Sequence, residues 1–264
     1  MEYEKLERKN RERYLDKVIF AKKGYLRRWL LGQGSFSDVY CVEDRADGRL
    51  YVCKVSWKAE MLESEARFME GLRHPLFPEC ADFWRDGRLG FLLREYVPGV
   101  SLEEMLGRRR FSARQTICVG RMLAEGLQFL HRLPEPLLFR DIKPANVIIR
   151  QDGRAALVDL GCVCEMRGKA DTRAGSPGFA APEQLGEDSR LTAACDVYGL
   201  GQTLKAMLGP EKRKRKKKRQ SRKEKKLEQE LRHMLEACTK EEAACRIQDM
   251  ESVLQAFPEF DAKR

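Results

Sequence analysis

The sequence predicts an α+β protein built as two lobes, strand-rich in its first third and helical in the remainder. Short β-type runs dominate the chain up to Glu95, and helical periodicity dominates it from Ser101 onward. With 264 residues, of which 42% are hydrophobic, the chain can bury a sizeable core. We place the seam at the turn dipeptide Pro98-Gly99. The expected domains are a charged N-terminal extension at 1–24, a first lobe at 25–97 and a second lobe at 98–260.

The strand-rich part begins after residues 1–23, which are charged and expected to be helical or frayed. Runs of β-branched and other apolar residues bounded by turn residues predict strands. These runs are Leu26–Gly32, Val39–Glu43, Leu50–Val55 and Gly90–Glu95.

The helices follow from apolar residues at three- and four-residue spacing. One helix is predicted from Ala59 to Leu72, closed by His74-Pro75, and a long one opens at Ser112 as its N-cap. A further helix contains Asp196 and ends near Gly209-Pro210, and an amphipathic helix is expected to start at Leu227.

The formal net charge of +10 lies in one segment. Residues 211–226, EKRKRKKKRQSRKEKK, carry a net charge of +10 by themselves, so the rest of the chain is neutral. Consecutive Lys and Arg residues repel one another, which predicts a solvated insertion. A functional interpretation is that the segment docks an acidic protein, nucleic acid or an anionic membrane surface.

Composition also excludes several classes. The nine cysteines include no CxxC pair, which argues against a disulfide framework and a zinc ribbon. No run of 18 apolar residues occurs, and the N-terminus lacks the apolar core of a signal peptide, so neither membrane spanning nor secretion is indicated. We therefore expect a cytoplasmic location.

Two features of the first lobe suit phosphate chemistry. Gly32 and Gly34 lie in a segment that joins two predicted strands, where backbone N–H groups could approach phosphate oxygens, although a glycine-containing hairpin turn explains them equally well. Lys54 lies on an apolar strand, and Glu65 lies within the apolar stripe formed by neighbouring residues of the helix that follows. An inward carboxylate needs a cation, which makes Lys54 the expected partner of Glu65.

The most informative segment is FRDIKPANVII at 139–149, followed by LVDLG at 157–161. Carboxylate and amide oxygens suit Mg²⁺, so Asn146 and Asp159 are the candidate metal ligands. The segments GSPGFAAPE at 175–183 and DVYGLG at 196–201 come next.

Taken together and in this order, the motifs resemble the protein kinase family, in particular the eukaryotic-like serine/threonine kinases of bacteria. The resemblance runs from about Leu26 to Phe257. It implies a bilobal protein-kinase-like fold, with an antiparallel β-sheet and one helix in the N-lobe and a mostly helical C-lobe. It also implies an ATP- and Mg²⁺-dependent protein serine/threonine kinase.

The resemblance assigns the site residues one by one. Asp141 would orient and deprotonate the substrate hydroxyl, and Lys143 resembles the lysine that contacts the transferred phosphoryl group. Lys54, paired with Glu65, would hold the α- and β-phosphates of ATP. The remaining nucleotide contacts are expected from Leu31, Gly32, Gly34, Val39, Val52, Glu95, Val97 and Ile148.

Other residues receive supporting roles from the same resemblance. Glu183 is expected to pair with Arg246, and Asp196 to brace the catalytic loop through its backbone. Arg140, directly before Asp141, is typical of kinases controlled by phosphorylation of the activation loop, for which Thr172 is the candidate.

Several positions depart from the family pattern. Ser37, Phe139 and Leu160 stand where glycine, histidine and phenylalanine are usual, and we interpret them as exchanges that keep the fold and activity. Arg94 stands where an apolar gatekeeper is usual, so it must reach a carboxylate or turn outward, unless the register differs by one. Cys162 is interpreted as a small buried residue rather than a redox sensor.

The sequence leaves two alternatives to a protein serine/threonine kinase open. A pseudokinase would use the same fold to bind nucleotide or partners without turnover, and the joint presence of the site residues disfavours it. A small-molecule kinase is disfavoured by Lys143 and by the segment 175–183.

Overall fold

The computed structural model describes residues 8–34, 36–166, 174–186, 191–210 and 221–260. The described chain forms two compact units. The first contains the residues up to Arg73 together with Pro78–Val97, and the second contains His74–Phe77 together with the residues from Pro98 onward.

The first unit is a helical segment followed by an antiparallel sheet. The helical segment consists of α1 (Arg8–Tyr14), π-helical turns (Leu15–Phe20) and α2 (Ala21–Lys23). The strands are β1 (Tyr25–Gln33), β2 (Ser37–Asp44), β3 (Leu50–Ser56), β4 (Cys80–Asp86) and β5 (Leu89–Glu95), with α3 (Ala59–Met69) between β3 and β4. The sheet order is β1-β2-β3-β5-β4, and every neighbouring pair is antiparallel.

Each face of this sheet packs against a helical element. Side chains alternate between the faces along each strand, so residues two apart share a face. On one face, the helical segment contributes Leu15, Ile19 and Phe20 to a buried cluster that includes alternate residues of β2, β3 and β5. On the other face lies α3, so close to β5 that a Cβ on Gly90 would be 2.8 Å from the Cα of Ala59.

The second unit is mostly helical. Its helices are α4 (Leu102–Arg108), α5 (Ala113–His131), α6 (Pro182–Leu185), α7 (Ala193–Leu208), α8 (Arg222–Cys238) and α9 (Met250–Ala256), with short 3₁₀ turns at Pro144–Asn146 and Ala243–Cys245. Its strands are β6 (Val100–Ser101), β7 (Leu137–Leu138), β8 (Val147–Ile149), β9 (Ala155–Leu157) and β10 (Cys164–Glu165). Helix α5 packs against α7, α8 and α9 and forms the centre of this unit.

The predicted fold class is confirmed, because an antiparallel sheet with one helix precedes a helical unit. The N-cap at Ser112 is also present, and its side chain accepts a hydrogen bond from the Gln115 amide. In the described residues, no helix has the length and apolar character needed to cross a membrane.

The main differences from the prediction are one additional strand and two helix ends. Strand β4 was not predicted. Helix α3 ends at Met69 because Glu70 turns into an extended conformation, so His74-Pro75 lies beyond the helix. Helix α8 begins at Arg222 rather than Leu227, because Ser221 and Glu224 form reciprocal capping hydrogen bonds. The last residues of the segment 211–226 are therefore helical, whereas 211–220 lie outside the described residues.

Candidate active site

The first unit holds a lysine and a carboxylate in direct contact. The Nζ of Lys54, on β3, donates a hydrogen bond of 2.8 Å to Oε2 of Glu65, on α3. Glu65 is buried, as are its helical neighbours Leu62 and Met69. The predicted pairing is therefore present, and the buried carboxylate orients the lysine ammonium.

The glycine-containing segment forms the turn between β1 and β2. The amide of Gly34 donates a hydrogen bond of 2.7 Å to the carbonyl of Ser37, which closes the turn, and Gly32 pairs with Val39 across the two strands. Leu31, also on β1, is exposed. A Cβ on Gly32 would meet no atom within 4 Å, so the backbone at this position is open to a ligand.

The other predicted nucleotide contacts of this unit lie on β3 and after β5. Val52 is buried on the same face as Lys54, since the two residues are two apart on β3. Glu95 closes β5, where its amide donates a hydrogen bond of 2.9 Å to the Glu79 carbonyl. Val97, two residues later, is buried.

The register of β5 shows on which face of the sheet Arg94 lies. Arg94 lies directly opposite Val52, and Leu92 lies opposite Lys54. Residues directly opposite in an antiparallel pair share a face, so Arg94 lies on the face that carries Val52 and Lys54. Its guanidinium donates a 3.4 Å hydrogen bond to the Glu95 carbonyl, and the side chain is half-buried.

In the second unit, Asp141 is the centre of a polar cluster. Its Oδ2 accepts a hydrogen bond of 3.0 Å from Asn146 Nδ2 and lies 2.8 Å from Lys143 Nζ. Its Oδ1 is buried and makes no hydrogen bond within the described part of the chain. One oxygen is thus fixed, and the other can accept a proton or a hydrogen bond.

Asn146 and Asp159 are brought together by the hairpin of β8 and β9. Val147 pairs with Leu157, and the Val158 amide donates a hydrogen bond of 3.0 Å to the Asn146 carbonyl, so Asp159 follows directly after the paired residues. Ile148 lies on β8 within this hairpin. Among the described residues, no group of three or more His, Cys, Asp or Glu forms a metal cage. An amide oxygen and a carboxylate suit Mg²⁺, which takes few protein ligands.

The backbone before Asp141 is held in an uncommon conformation. Arg140 has φ 66°, in the left-handed region that costs a non-glycine residue about 1–2 kcal/mol. The buried carboxylate of Asp196 accepts hydrogen bonds from the amides of Phe139 at 2.8 Å and Arg140 at 2.7 Å. Asp196 therefore braces the loop through its backbone, as predicted.

The described residues include the predicted ion pair of Glu183 with Arg246 and also Cys162, whereas they do not include Thr172. Arg246 and Glu183 form an ion pair with a distance of 2.7 Å between Nη1 and Oε1. Burial, reinforced by the nearby carboxylates of Asp141 and Asp159, raises the pKa of the Cys162 thiol to about 11. Thr172, the candidate phosphorylation site, lies outside the described residues.

Sequence reasoning missed four polar contacts around Asp141 and Asp196. Lys143 Nζ donates a hydrogen bond of 2.6 Å to Ser176 Oγ. Gln184 Nε2 donates to the carbonyls of Arg140 at 2.8 Å and Ala174 at 3.0 Å. His131 Nε2 lies 2.9 Å from Asp196 Oδ2. No local pattern indicates these contacts, because each joins distant parts of the chain.

The chain is similar in sequence to known proteins. The model of the protein kinase domain family matches residues 25–259. The human RAC-beta serine/threonine-protein kinase is 31% identical over 207 residues, which cover 73% of this chain and 41% of that protein. The serine/threonine-protein kinase C of Synechocystis is 28% identical over 201 residues, covering 66% of this chain and 36% of that protein. The chain thus spans well under two thirds of the length of these relatives.

Proposed function

Because the chain belongs to the protein kinase family, we propose that it transfers the γ-phosphoryl group of ATP to serine and threonine hydroxyls of proteins. The observation that carries this proposal is the cluster of Asp141, Lys143 and Asn146. A carboxylate with one fixed and one available oxygen, beside an ammonium group, suits the activation of a hydroxyl next to a phosphoryl group.

Each member of the cluster has a distinct task in this proposal. Asp141 Oδ1 would accept the hydrogen bond, and then the proton, of the substrate hydroxyl. Asn146 holds the other oxygen and thereby fixes the orientation of the carboxylate. Lys143 would contribute positive charge next to the transferred group, which carries negative charge in the transition state.

The proposal also assigns residues to the nucleotide. Lys54, oriented by Glu65, would contact the α- and β-phosphates, and backbone N–H groups between Gly32 and Val39 would cover them. Val52, Glu95, Val97 and Ile148 would contact the adenine. Asn146 and Asp159 would hold Mg²⁺, which neutralises phosphate charge when bound.

The test is phosphoryl transfer from γ-labelled ATP with Mg²⁺ to a generic basic protein, followed by phosphoamino-acid analysis. We expect label on serine or threonine, lost in Asp141→Asn. The matched control is Asp152→Asn, which removes a carboxylate from an exposed turn of the same unit. A wild-type chain that binds nucleotide without transferring label would contradict the proposal and support the pseudokinase alternative. Transfer to an amino sugar or choline instead of protein would support the small-molecule alternative.

The partner of the basic segment 211–226 stays a prediction. Its charge favours an acidic protein, nucleic acid or an anionic membrane surface, and any of these contacts should weaken steeply as salt rises. Binding assays at about 50 and 300 mM salt, with the segment's Lys and Arg residues replaced by Gln, would test it. The cytoplasmic location is likewise a prediction, which microscopy of the tagged chain would check.

A further inference from the structure

The helical segment at residues 8–23 precedes the part of the chain that the family model matches, yet it belongs to the core of the first unit. The family match begins at residue 25. Leu15 and Phe20 are 0% and 1% exposed and pack with Tyr40 and Val42 of β2. The segment therefore covers the sheet face opposite to α3.

A buried carboxylate lies beneath this segment. Asp38, on β2, is 1% exposed. Its Oδ2 lies 3.4 Å from Nη1 of Arg11, on α1, and accepts a 3.4 Å hydrogen bond from the Tyr40 hydroxyl, while its Oδ1 accepts one of 3.1 Å from Gln33. A buried carboxylate is costly without a compensating cation, and Arg11 supplies one.

The helical segment is fixed on the neighbouring strand as well. Arg27, on β1, makes two hydrogen bonds of 2.8 Å to the carboxylate of Asp16 and lies 3.6 Å from Glu12. The Arg11 guanidinium also lies 5.5 Å from the ring centre of Trp57, just after β3. Both strands of the β1–β2 hairpin are therefore tied to residues 8–23 by charged contacts.

The position of Asp38 connects these contacts to the nucleotide loop. Gln33 and Asp38 are the last pair of the hairpin before its turn. Val39, the next residue, points to the opposite face of the sheet and is a proposed nucleotide contact. Fixing the Asp38 side chain on one face thus fixes the backbone that presents Val39 on the other face and that borders the turn at Gly34.

From this geometry we propose that Arg11 is a positioning residue: through Asp38 it holds the β1–β2 hairpin in the conformation that binds the phosphates of ATP. The part of this statement that concerns ATP rests on the proposed function. Residues 8–23 then act as an additional element of the kinase domain that sets its affinity for nucleotide.

The experiment compares Arg11→Gln with Arg13→Gln, which removes the same charge from an exposed position on the same helix. We expect Arg11→Gln to raise the KM for ATP about fivefold while kcat stays within about twofold, and Arg13→Gln to change neither. Arg11→Lys, which keeps the charge, should recover most of the affinity. In an Asp38→Asn background, Arg11→Gln should add less than about a twofold effect, since the carboxylate it neutralises is gone.

Hydrogen exchange of the protein without nucleotide separates this proposal from the proposed function. In Arg11→Gln, amides of the β1–β2 turn, Gly34 among them, should exchange about tenfold faster, with those of β4 and β5 unchanged. If exchange in the turn is unchanged, or rises equally across the whole sheet, the positioning role is wrong. If exchange changes locally but the wild-type chain binds no ATP, the positioning role stands and the proposed function fails. An equal KM for ATP in wild type and Arg11→Gln would overturn the link to nucleotide.

Discussion

Lys143 Nζ lies 2.8 Å from Asp141 Oδ2 and donates a hydrogen bond of 2.6 Å to Ser176 Oγ. One ammonium group therefore joins the loop that carries Asp141 to the segment before α6. Gln184 makes a second connection between the same two segments, because its amide donates to the carbonyls of Arg140 and Ala174. The position of Lys143 thus depends on Ser176, which is 33 positions further along the chain.

Replacing Ser176 with alanine should lower kcat roughly tenfold. The ammonium of Lys143 would lose a charge-assisted hydrogen bond, which contributes about 1.5–3 kcal/mol, and part of that loss appears in the transition state. The KM for ATP should change little, because the proposed contacts with the adenine and with the α- and β-phosphates lie elsewhere. Steady-state kinetics with a protein substrate provide the measurement. Ser176→Thr keeps the hydroxyl and should stay near wild type, and an unchanged kcat in Ser176→Ala would contradict the role of this contact.

Replacing Glu183 with alanine should reduce the free energy of unfolding by about 3 kcal/mol. The Arg246 side chain is 0% exposed, so removing its partner leaves a buried guanidinium without a counter-charge. Urea unfolding monitored by circular dichroism measures the effect. Glu228→Ala is the control, because Glu228 and Arg232 form a more exposed pair on α8, worth about 0.5 kcal/mol. Equal losses in the two variants would show that burial does not strengthen the Glu183 pair.

The fold class could be predicted because it depends on periodicity, which is local. The four predicted strands are contiguous in the sheet, and three of them, β2, β3 and β5, carry buried apolar residues. Strand β4 lies at the sheet edge, and its residues, CADFWRD, are half-buried or exposed. Their sequence does not alternate between apolar and polar residues, so it does not predict a strand. The start of α8 was missed for a similar reason, since its first turn is charged and only the cap at Ser221 marks it.

The same distinction applies to the candidate site, where residues in local motifs could be predicted and long-range contacts could not. The residues that carry charge for chemistry, such as Asp141 and Lys54, lie in recognisable motifs. Arg11 lies in no motif, and Ser176 lies in the segment 175–183 without any sign there of its role. Their contacts with Asp38 and Lys143 join residues far apart in sequence. Such contacts arise from tertiary packing, so no regular spacing of residues in the sequence predicts them.

Replacing Arg94 with leucine should increase the affinity of inhibitors that extend an apolar group beyond the adenine position, roughly tenfold. Arg94 lies on the sheet face of Val52 and Lys54, where its half-buried charge disfavours an apolar neighbour. Dissociation constants for a pair of inhibitors, with and without the apolar group, measure the effect. Arg88→Leu, in the exposed turn between β4 and β5, should leave both constants unchanged. An equal gain for both inhibitors in Arg94→Leu would show that the side chain acts on binding in general.

Alkylation of Cys162 should be slow at neutral pH and rise with pH. Burial raises its pKa to about 11, so the thiol stays protonated near neutrality, and the thiolate is the reactive form. At pH 8 only about one molecule in a thousand carries the thiolate, and the rate with iodoacetamide should rise about tenfold per pH unit up to roughly pH 9.5. Peptide mapping by mass spectrometry should find the exposed Cys118 and Cys245 modified first, with Cys162→Ser confirming the slow site. A Cys162 that reacts as fast as Cys118 at pH 8 would require a much lower pKa, and it would favour redox sensing over a packing role.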